Sequence, residues 1–388
     1  MQPRDFSTQH RFPGTVSSPF DGLIRLADAV ERLPAPVFAA LLFALALVPT
    51  RGDLPLAFGL WLFFAGDWAL LAALPRAHKS FGPAKPPTLL LACLRAIPAV
   101  LPLPWSPLAQ IIGTALVIYG FWIEPHRVGV TRQTLHSAKL QPTAKPLRVL
   151  HLGDLHVERI TGRERQVLAH VRALAPDLIL FSGDFLNLST TNDPVAWEET
   201  RAILRELTAP FGVFAVTGSP PVDKPEVMPR LFAGLDNIRW LRDEKVTLDF
   251  AGQRIDVVGV TCTHKPNADG ATLNAILNGD PDNLTILLYH SPDLAPAAAA
   301  AGIDLQLSGH THGGQVRLPF FGALYTSSLY GKRFEIGRHR IGGLTLYVTR
   351  GLGMEGKGAP RVRFLCPPEI TLWEIDTESP QVPPNSGS

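Results

Sequence analysis

The sequence predicts an α/β protein with layered sheets, carried on a helical membrane domain. Three observations carry this prediction. Four long apolar runs crowd the first 124 residues, short apolar strands alternate with helical segments from residue 147, and the chain ends in strands alone. The division expected is a membrane domain over 1–124, a polar linker over 125–146, a catalytic or binding domain over 147–376 and a Pro/Ser-rich, disordered tail over 377–388.

The apolar runs cover 33–49, 54–75, 88–105 and 107–123. Each is close to the roughly 20 residues that cross about 30 Å of hydrocarbon, so about four transmembrane helices are expected; the first and third runs contain prolines. Arg25, Arg32, Arg76, Lys79, Lys85, Arg127, Arg132 and Lys139 fall on one side of this arrangement, and Arg51 falls on the other. Basic residues stay on the cytoplasmic face, which predicts a multi-pass protein of a bacterial inner membrane with its large domain in the cytoplasm. The late start of the first run argues against a cleaved signal peptide. Asp67 and Arg95 lie inside runs at similar depth, where an unpaired charge is costly; they read as a structural ion pair across neighbouring helices or as charges that each snorkel to the interface, in preference to a polar substrate path. Residues 17–33 have apolar side chains at helical spacing with charges opposite, as in a helix lying on a membrane surface or packed on protein.

Charge and cysteine content exclude two classes. The formal net charge of +2 gives no basic face for nucleic acid. Cys93, Cys262 and Cys366 are widely spaced, which suits neither a disulfide framework nor a cysteine zinc site.

From residue 147 the strands read LRVLHLGD, LILFSGD, GVFAVTG, a hairpin-like stretch over 239–260, LTILLYH and DLQLSGH, with helices near 163–175, 195–208 and 293–301. Polar residues recur just after the carboxyl end of each strand: Asp154 and His156, Asp184, Ser219, His290, and His310 with His312. Ligands of open α/β sheets bind at this edge. One such Asp is ordinarily a turn residue or a helix cap, but five converging strand ends form a pattern. Carboxylate and neutral imidazole suit zinc, manganese or iron, and residues two apart on extended backbone project to one side. A carboxylate such as Asp184 can bridge two cations that together clamp a phosphoryl group and activate water.

The motifs GDLH, SGD, YHSPD and SGHTHGGQ, in this order, resemble the calcineurin-like metallophosphoesterase superfamily. The closing RGLG and RVRFLCPPEITL resemble its bacterial branch tethered to membranes by N-terminal helices. The resemblance implies a four-layer sandwich of two mixed sheets flanked by helices. It also implies two divalent metal ions (Mn, Fe or Zn). Asp154, His156, Asp184 and His312 would hold the first; Asp184 would bridge to a second held by His290 and His310. Family members carry Gly-Asn-His before the YH motif, whereas this chain has Gly218-Ser219-Pro220. Ser219 is therefore a doubtful ligand, and no side chain at Pro220 can act as general acid, so no catalytic residue is assigned beyond the metals. Asp223 or Lys224 is a potential substitute on the same loop.

Among the remaining polar residues, His151 inside a strand reads as structural, and His264 either lines the cleft or ends a hairpin. Arg159, Arg163, Arg317 and Arg350 are spaced to reach a phosphate. The function expected is a membrane-anchored, metal-dependent phosphoesterase acting on a phosphoester or pyrophosphate, on a phosphorylated small molecule or a lipid-linked substrate. Some members of the resembling branch hydrolyse UDP-diacylglucosamine. The alternative is a catalytically impaired metal-binding scaffold or sensor on the membrane.

Overall fold

Alternation of side chains along the strands builds three apolar layers at once. On the strand Leu147–Leu152, Leu147 and Val149 face one core, while Leu150 and Leu152 face another. A computed structural model describes residues 20–142, 145–277 and 282–377. The tail from 378 and the first three residues of the amphipathic stretch, 17–19, lie outside the described residues.

In chain order the elements are α1 (Phe20–Glu31), α2 (Ala35–Leu47), α3 (Leu54–Ala73), α4 (Lys85–Ala99), α5 (Trp105–Val117), β1 (Gly129–His136), β2 (Leu147–Leu152), α6 (Gly162–Leu174), β3 (Leu178–Phe181), α7 (Pro194–Arg205), β4 (Val213–Ala215), α8 (Met228–Phe232) and β5 (Arg239–Trp240). There follow β6 (Glu244–Phe250), β7 (Gln253–Gly259), α9 (Pro266–Ile276), β8 (Leu284–Leu288), α10 (Ala295–Ala300), β9 (Leu305–Ser308), β10 (Arg317–Leu318), β11 (Gly322–Ala323), β12 (Gly337–Ile341), β13 (Leu344–Val348) and β14 (Glu369–Asp376).

Two mixed six-stranded sheets result, ordered β1-β14-β2-β3-β4-β5 and β12-β13-β9-β8-β7-β6. Val149, Leu180 and Phe214 of the first sheet meet Val257, Ile286 and Leu307 of the second between the sheets. Leu150, Ile179 and Val213 pack outward on α6, α7 and α8, and Val258, Leu287 and Leu346 pack outward on α9 and α10. This is the four-layer sandwich expected. β2, β3, β4 and β5 run parallel, as do β7, β8, β9 and β13, so their carboxyl ends gather along one edge.

The stretch 125–146, expected as a linker, holds a strand: β1 pairs in parallel with β14 from Gly129↔Glu369 to His136↔Asp376. From Thr131 its residues alternate between covered (Thr131, Gln133 and the buried Leu135) and exposed (Arg132, Thr134, His136), as suits a sheet edge with one wet face. The helix α9 was likewise not expected.

The apolar third forms fewer long helices than expected. Two are long and apolar enough to cross a membrane: α3, and α5 continued through a π-helical turn (Ile118–Ile123) to His126. At 1.5 Å per residue, α2 and α4 reach only about 20 and 22 Å. α4 stops at Ala99, because Pro98, Pro102 and Pro104 deny the next turns their N–H donors. Residues 22–31 of α1 with α2 form a pair bent by 111°, which would make a third span if the pair crosses as one.

Of the two structural readings of Asp67 and Arg95, the ion pair is the one that forms. Arg95 Nε and Nη2 donate to the two Asp67 oxygens at 2.6 and 2.7 Å, and Arg95 also donates to Gln110 O and to Thr114. Both side chains are buried among α3, α4 and α5. Asp67→Leu leaves the Arg95 charge uncompensated and is expected to cost about 3–5 kcal/mol. Thermal unfolding in detergent should show Asp67→Leu/Arg95→Leu recovering most of that loss.

Candidate metal centre

Six acidic and imidazole side chains from the carboxyl ends of β2, β3, β8 and β9 turn toward one point. Five of their residues adopt left-handed backbone: Asp154 (φ 50°), His156 (46°), Asp184 (58°), His310 (72°) and His312 (50°). Each such residue costs on the order of 1–3 kcal/mol, and such strain gathers at functional sites. The neighbouring glycines leave room for it. A Cβ on Gly218 would run into the Asp184 carboxylate, and a Cβ on Gly309 into that of Asp154.

The ligand atoms fall into two groups, each within 4.8 Å: Asp154, His156, Asp184 and His312, and then Asp184, His290 and His310. Asp184 belongs to both, and all six residues are buried. Asp184 Oδ2 lies 3.5 Å from His156 Nε2 and 3.2 Å from His290 Nε2. Carbonyl acceptors orient these two rings. His156 Nδ1 donates to Leu186 O at 3.2 Å and His290 Nδ1 to Ser182 O at 2.9 Å, which turns each Nε2 lone pair into the site.

This donor set fits divalent cations. His156 Nε2 and His312 Nε2 face each other at 2.9 Å, and Asp154 Oδ2 and His312 Nδ1 are buried without a hydrogen-bond partner. Buried polar atoms are rarely left so. The protonation pattern shows the same tension. Burial pushes the Asp154 carboxyl up to about 7, and burial lowers His156 to about 4 and His312 well below its ordinary value. Burial also acts to lower His290, but the Asp184 carboxylate and then Asp154 hold it up at about 9. Positive charge is thus favoured beside these carboxylates, and a cation would compete with the His290 proton for the same place.

The Ser-Pro-Pro turn has its own geometry. Ser219 Oγ lies 3.1 Å from His290 Nε2 and 3.3 Å from His310 Nδ1, and Ser219 N donates to Asp184 Oδ1 at 2.6 Å. The hydroxyl therefore sits inside the second group, while Pro220 offers no polar side chain. Ser219 O accepts from Val222 N and Asp223 N, which folds the loop back. Asp223 does not swing in as a ligand. It accepts from Gly218 N (2.7 Å), Asp184 N (2.8 Å) and Phe185 N (3.0 Å), tying the ends of β3 and β4 together. Burial, with the Asp184 charge, pushes its carboxyl up to about 7 against these donors. Lys224 donates to Asn192.

His151 donates to or accepts from Ser182 Oγ inside the sheet, in keeping with a structural role. The arginines expected to reach a phosphate are engaged by carboxylates. Arg159 pairs with Asp193 at 2.7 Å, Arg163 with Glu164 at 2.6 Å, Arg317 with Glu335 at 2.8 Å and Arg350 with Glu369 at 2.6 Å. Two other residues come to the site. The His264 ring, after β7 on the same sheet edge, lies 4.7 Å from that of His310 and 6.4 Å from that of His290. Glu355 Oε1 is 3.7 Å from His312 Nε2. The strand-end rule that found the other residues also applies to His264; Glu355, on a loop near the chain end, carried no such signal. The group opens into a cavity of about 370 Å³ lined by His310, His312, Glu355 and Tyr325, with Leu23 and Ile24 of α1 as one wall.

Comparison with known proteins agrees with this geometry. A family model described as calcineurin-like phosphoesterase matches residues 147–314. An uncharacterized metallophosphoesterase of Bacillus subtilis, YkuE, is 31% identical over 267 residues, which span 66% of this chain and 88% of that protein. The phosphodiesterase YaeI of Escherichia coli is 26% identical over 66% of this chain and 92% of its own length. The UDP-2,3-diacylglucosamine pyrophosphatase LpxG of Chlamydia trachomatis is 27% identical over 64% of this chain and 90% of its own.

Asp223 gives a direct test of the loop geometry. Asp223→Ala strips three backbone N–H groups of a charged acceptor, each bond being worth roughly 1.5–3 kcal/mol. It should lower stability by at least about 3 kcal/mol in denaturant titration, with Asp223→Asn intermediate.

Proposed function

The chain belongs to the calcineurin-like phosphoesterases, which are metal-dependent phosphohydrolases, and on that premise we propose that it hydrolyses a phosphoester or pyrophosphate bond of a lipid-linked substrate at a membrane surface. One observation carries the reading: two donor groups sharing the buried Asp184 reach, through His310 and His312, a cavity that the amphipathic helix α1 also lines with Leu23 and Ile24. In this reading Asp154, His156, Asp184 and His312 hold one divalent cation, and Asp184, His290 and His310 hold the second. Such a pair would supply Lewis acidity to a phosphoryl oxygen and a nucleophilic water at neutral pH. Leu186 O and Ser182 O keep His156 and His290 in the tautomer that ligation needs.

The Ser219 hydroxyl, 3.1 Å from His290 Nε2, stands at the edge of the second position and is a weaker donor than an amide oxygen. His264 packs against His310, with ring centroids 4.7 Å apart, and supports that position. General acid catalysis is ordinarily worth about 10²–10⁴-fold, so the absence of a side-chain acid at Pro220 slows turnover without removing the cation chemistry.

The membrane reading follows from α3 and the extended α5. The segment between α3 and α4, which carries Arg76 and Lys79 and ends at Lys85, bonds to the end of the extended α5 through Lys79 Nζ to Trp122 O (3.1 Å) and touches the catalytic body through Phe81 N to Glu158 Oε2 (3.2 Å). Arg51 lies in the turn between α2 and α3. By the positive-inside rule the catalytic body faces the cytoplasm, as in a multi-pass protein of a bacterial inner membrane. The LpxG relative, a UDP-2,3-diacylglucosamine pyrophosphatase, makes a lipid-linked pyrophosphate the favoured substrate class.

The test uses the full-length protein in detergent with added Mn²⁺ and bis(p-nitrophenyl) phosphate, with metal content read alongside. Turnover is expected to need the metal and to vanish in Asp184→Asn. His264→Ala is expected to weaken the second ion by about 10–100-fold, while the first stays bound. Two bound ions without turnover on any phosphoester would point instead to a metal-binding scaffold.

A further inference from the structure

The β10–β11 hairpin, residues 317–323, has no part in the chemistry above, yet its composition is unlike that of a solvated loop. Leu318, Phe321, Leu324 and Tyr325 are each 43–57% exposed, and Phe320 at the tip is fully exposed. Phe320 also adopts φ +64°, an uncommon conformation for a bulky residue. Phe320 is the central residue of a tight turn closed by Phe321 N donating to Pro319 O at 2.7 Å, which leaves its aromatic side chain exposed at the tip.

We propose that this hairpin inserts its aromatic tip into the leaflet beside α5 and seats the mouth of the metal centre on the membrane surface. Three observations converge on the bilayer as the occupant. First, the hairpin is continuous with the apolar helices. Val316 and Leu324 at its base line one groove together with Leu94 of α4 and Ile112 and Leu116 of α5, and Ile112 and Leu116 are themselves exposed. Second, a cation stands beside the turn, as at a headgroup boundary. Lys332 Nζ lies 3.1 Å from the centroid of the Phe321 ring and donates to Phe321 O at 2.7 Å, and the neighbouring Arg333 is exposed. Lysine stems cover apolar surface while their charge reaches for phosphate and water. Third, the catalytic cavity is lined both by Tyr325, two residues past this hairpin, and by Leu23 and Ile24 of α1, while Leu26 of α1 is exposed. A surface-lying amphipathic helix and an aromatic hairpin beside one cavity is the arrangement of a site fed from the interface.

The proposal rests on the reading of α3 and α5 as membrane spans, and its test separates the two. A nitroxide is placed at position 320 (F320C in a C93A background, the other two cysteines being buried) in the full-length protein, reconstituted in phosphatidylcholine–phosphatidylglycerol nanodiscs. Control labels go on lipid-facing α5 (L116C) and on exposed α7 (R205C). Power saturation then reads access to oxygen and to a water-soluble nickel chelate. The expected result is a label at 320 with high oxygen and low nickel access, shifted into the range of the label at 116. A label at 320 that matches 205 while 116 reads as lipid overturns the insertion alone. A label shielded from both reagents marks a protein contact and overturns it as well. If 116 also reads as aqueous, the span reading fails and takes the proposal with it.

Discussion

The buried Asp184 carboxylate is the constraint around which the site is arranged. It lies within 3.5 Å of two imidazoles, accepts Ser219 N at 2.6 Å, and shares its pocket with a second carboxylate, Asp154. Two buried carboxylates without cations repel each other and are penalised by desolvation. The rest of the site answers that cost: left-handed backbone at five residues, glycines pressed against both carboxylates, and carbonyls that fix the histidine tautomers. Asp223 then ties the Asp184 loop to the Ser219 loop through three N–H groups, so a change in one strand end is felt by the other.

The membrane portion is not a loose tether. α5 continues into the catalytic body, where Gly120 O accepts Arg363 N at 3.0 Å and the Glu124 carboxylate accepts the backbone N–H groups of Leu365 and Cys366. A Cβ on Gly120 would press on Val362, so the helix and the 360–366 segment pack backbone to side chain. The same segment reaches the centre from the other side, because Cys366 Sγ donates to His312 O. Orientation of the site relative to α5 is therefore set by hydrogen bonds of folded backbone rather than by a linker.

Much of this was legible in the sequence, for a physical reason. Buried parallel strands read as short apolar runs, and the polar residue after each run marks a common edge, so Asp154, His156, Asp184, His290, His310 and His312 could be grouped before any fold was known. What failed was whatever depends on a distant partner. β1 is a half-polar edge strand recognisable only beside β14, more than 200 residues on. Arg159, Arg317 and Arg350 looked free because Asp193, Glu335 and Glu369 are placed opposite them only by the fold. A helix forms at each of the four apolar runs, but α2 and α4 are too short to cross alone, because the prolines noted in their runs bound them more tightly than the run lengths suggested. Ser219 was legible as a departure, but its place between His290 and His310 was not.

Asp184 belongs to both donor groups although Ser219 and Pro220 stand where family members carry an amide and an imidazole. Whether that carboxylate joins two cations is read by low-temperature electron paramagnetic resonance of the full-length protein titrated with Mn²⁺. Ions sharing a carboxylate at roughly 3.5–4 Å are expected to give two Mn²⁺ per chain and an exchange-coupled multiline signal. A single isolated Mn²⁺ per chain at saturation, or two that show no coupling, would rule the shared carboxylate out.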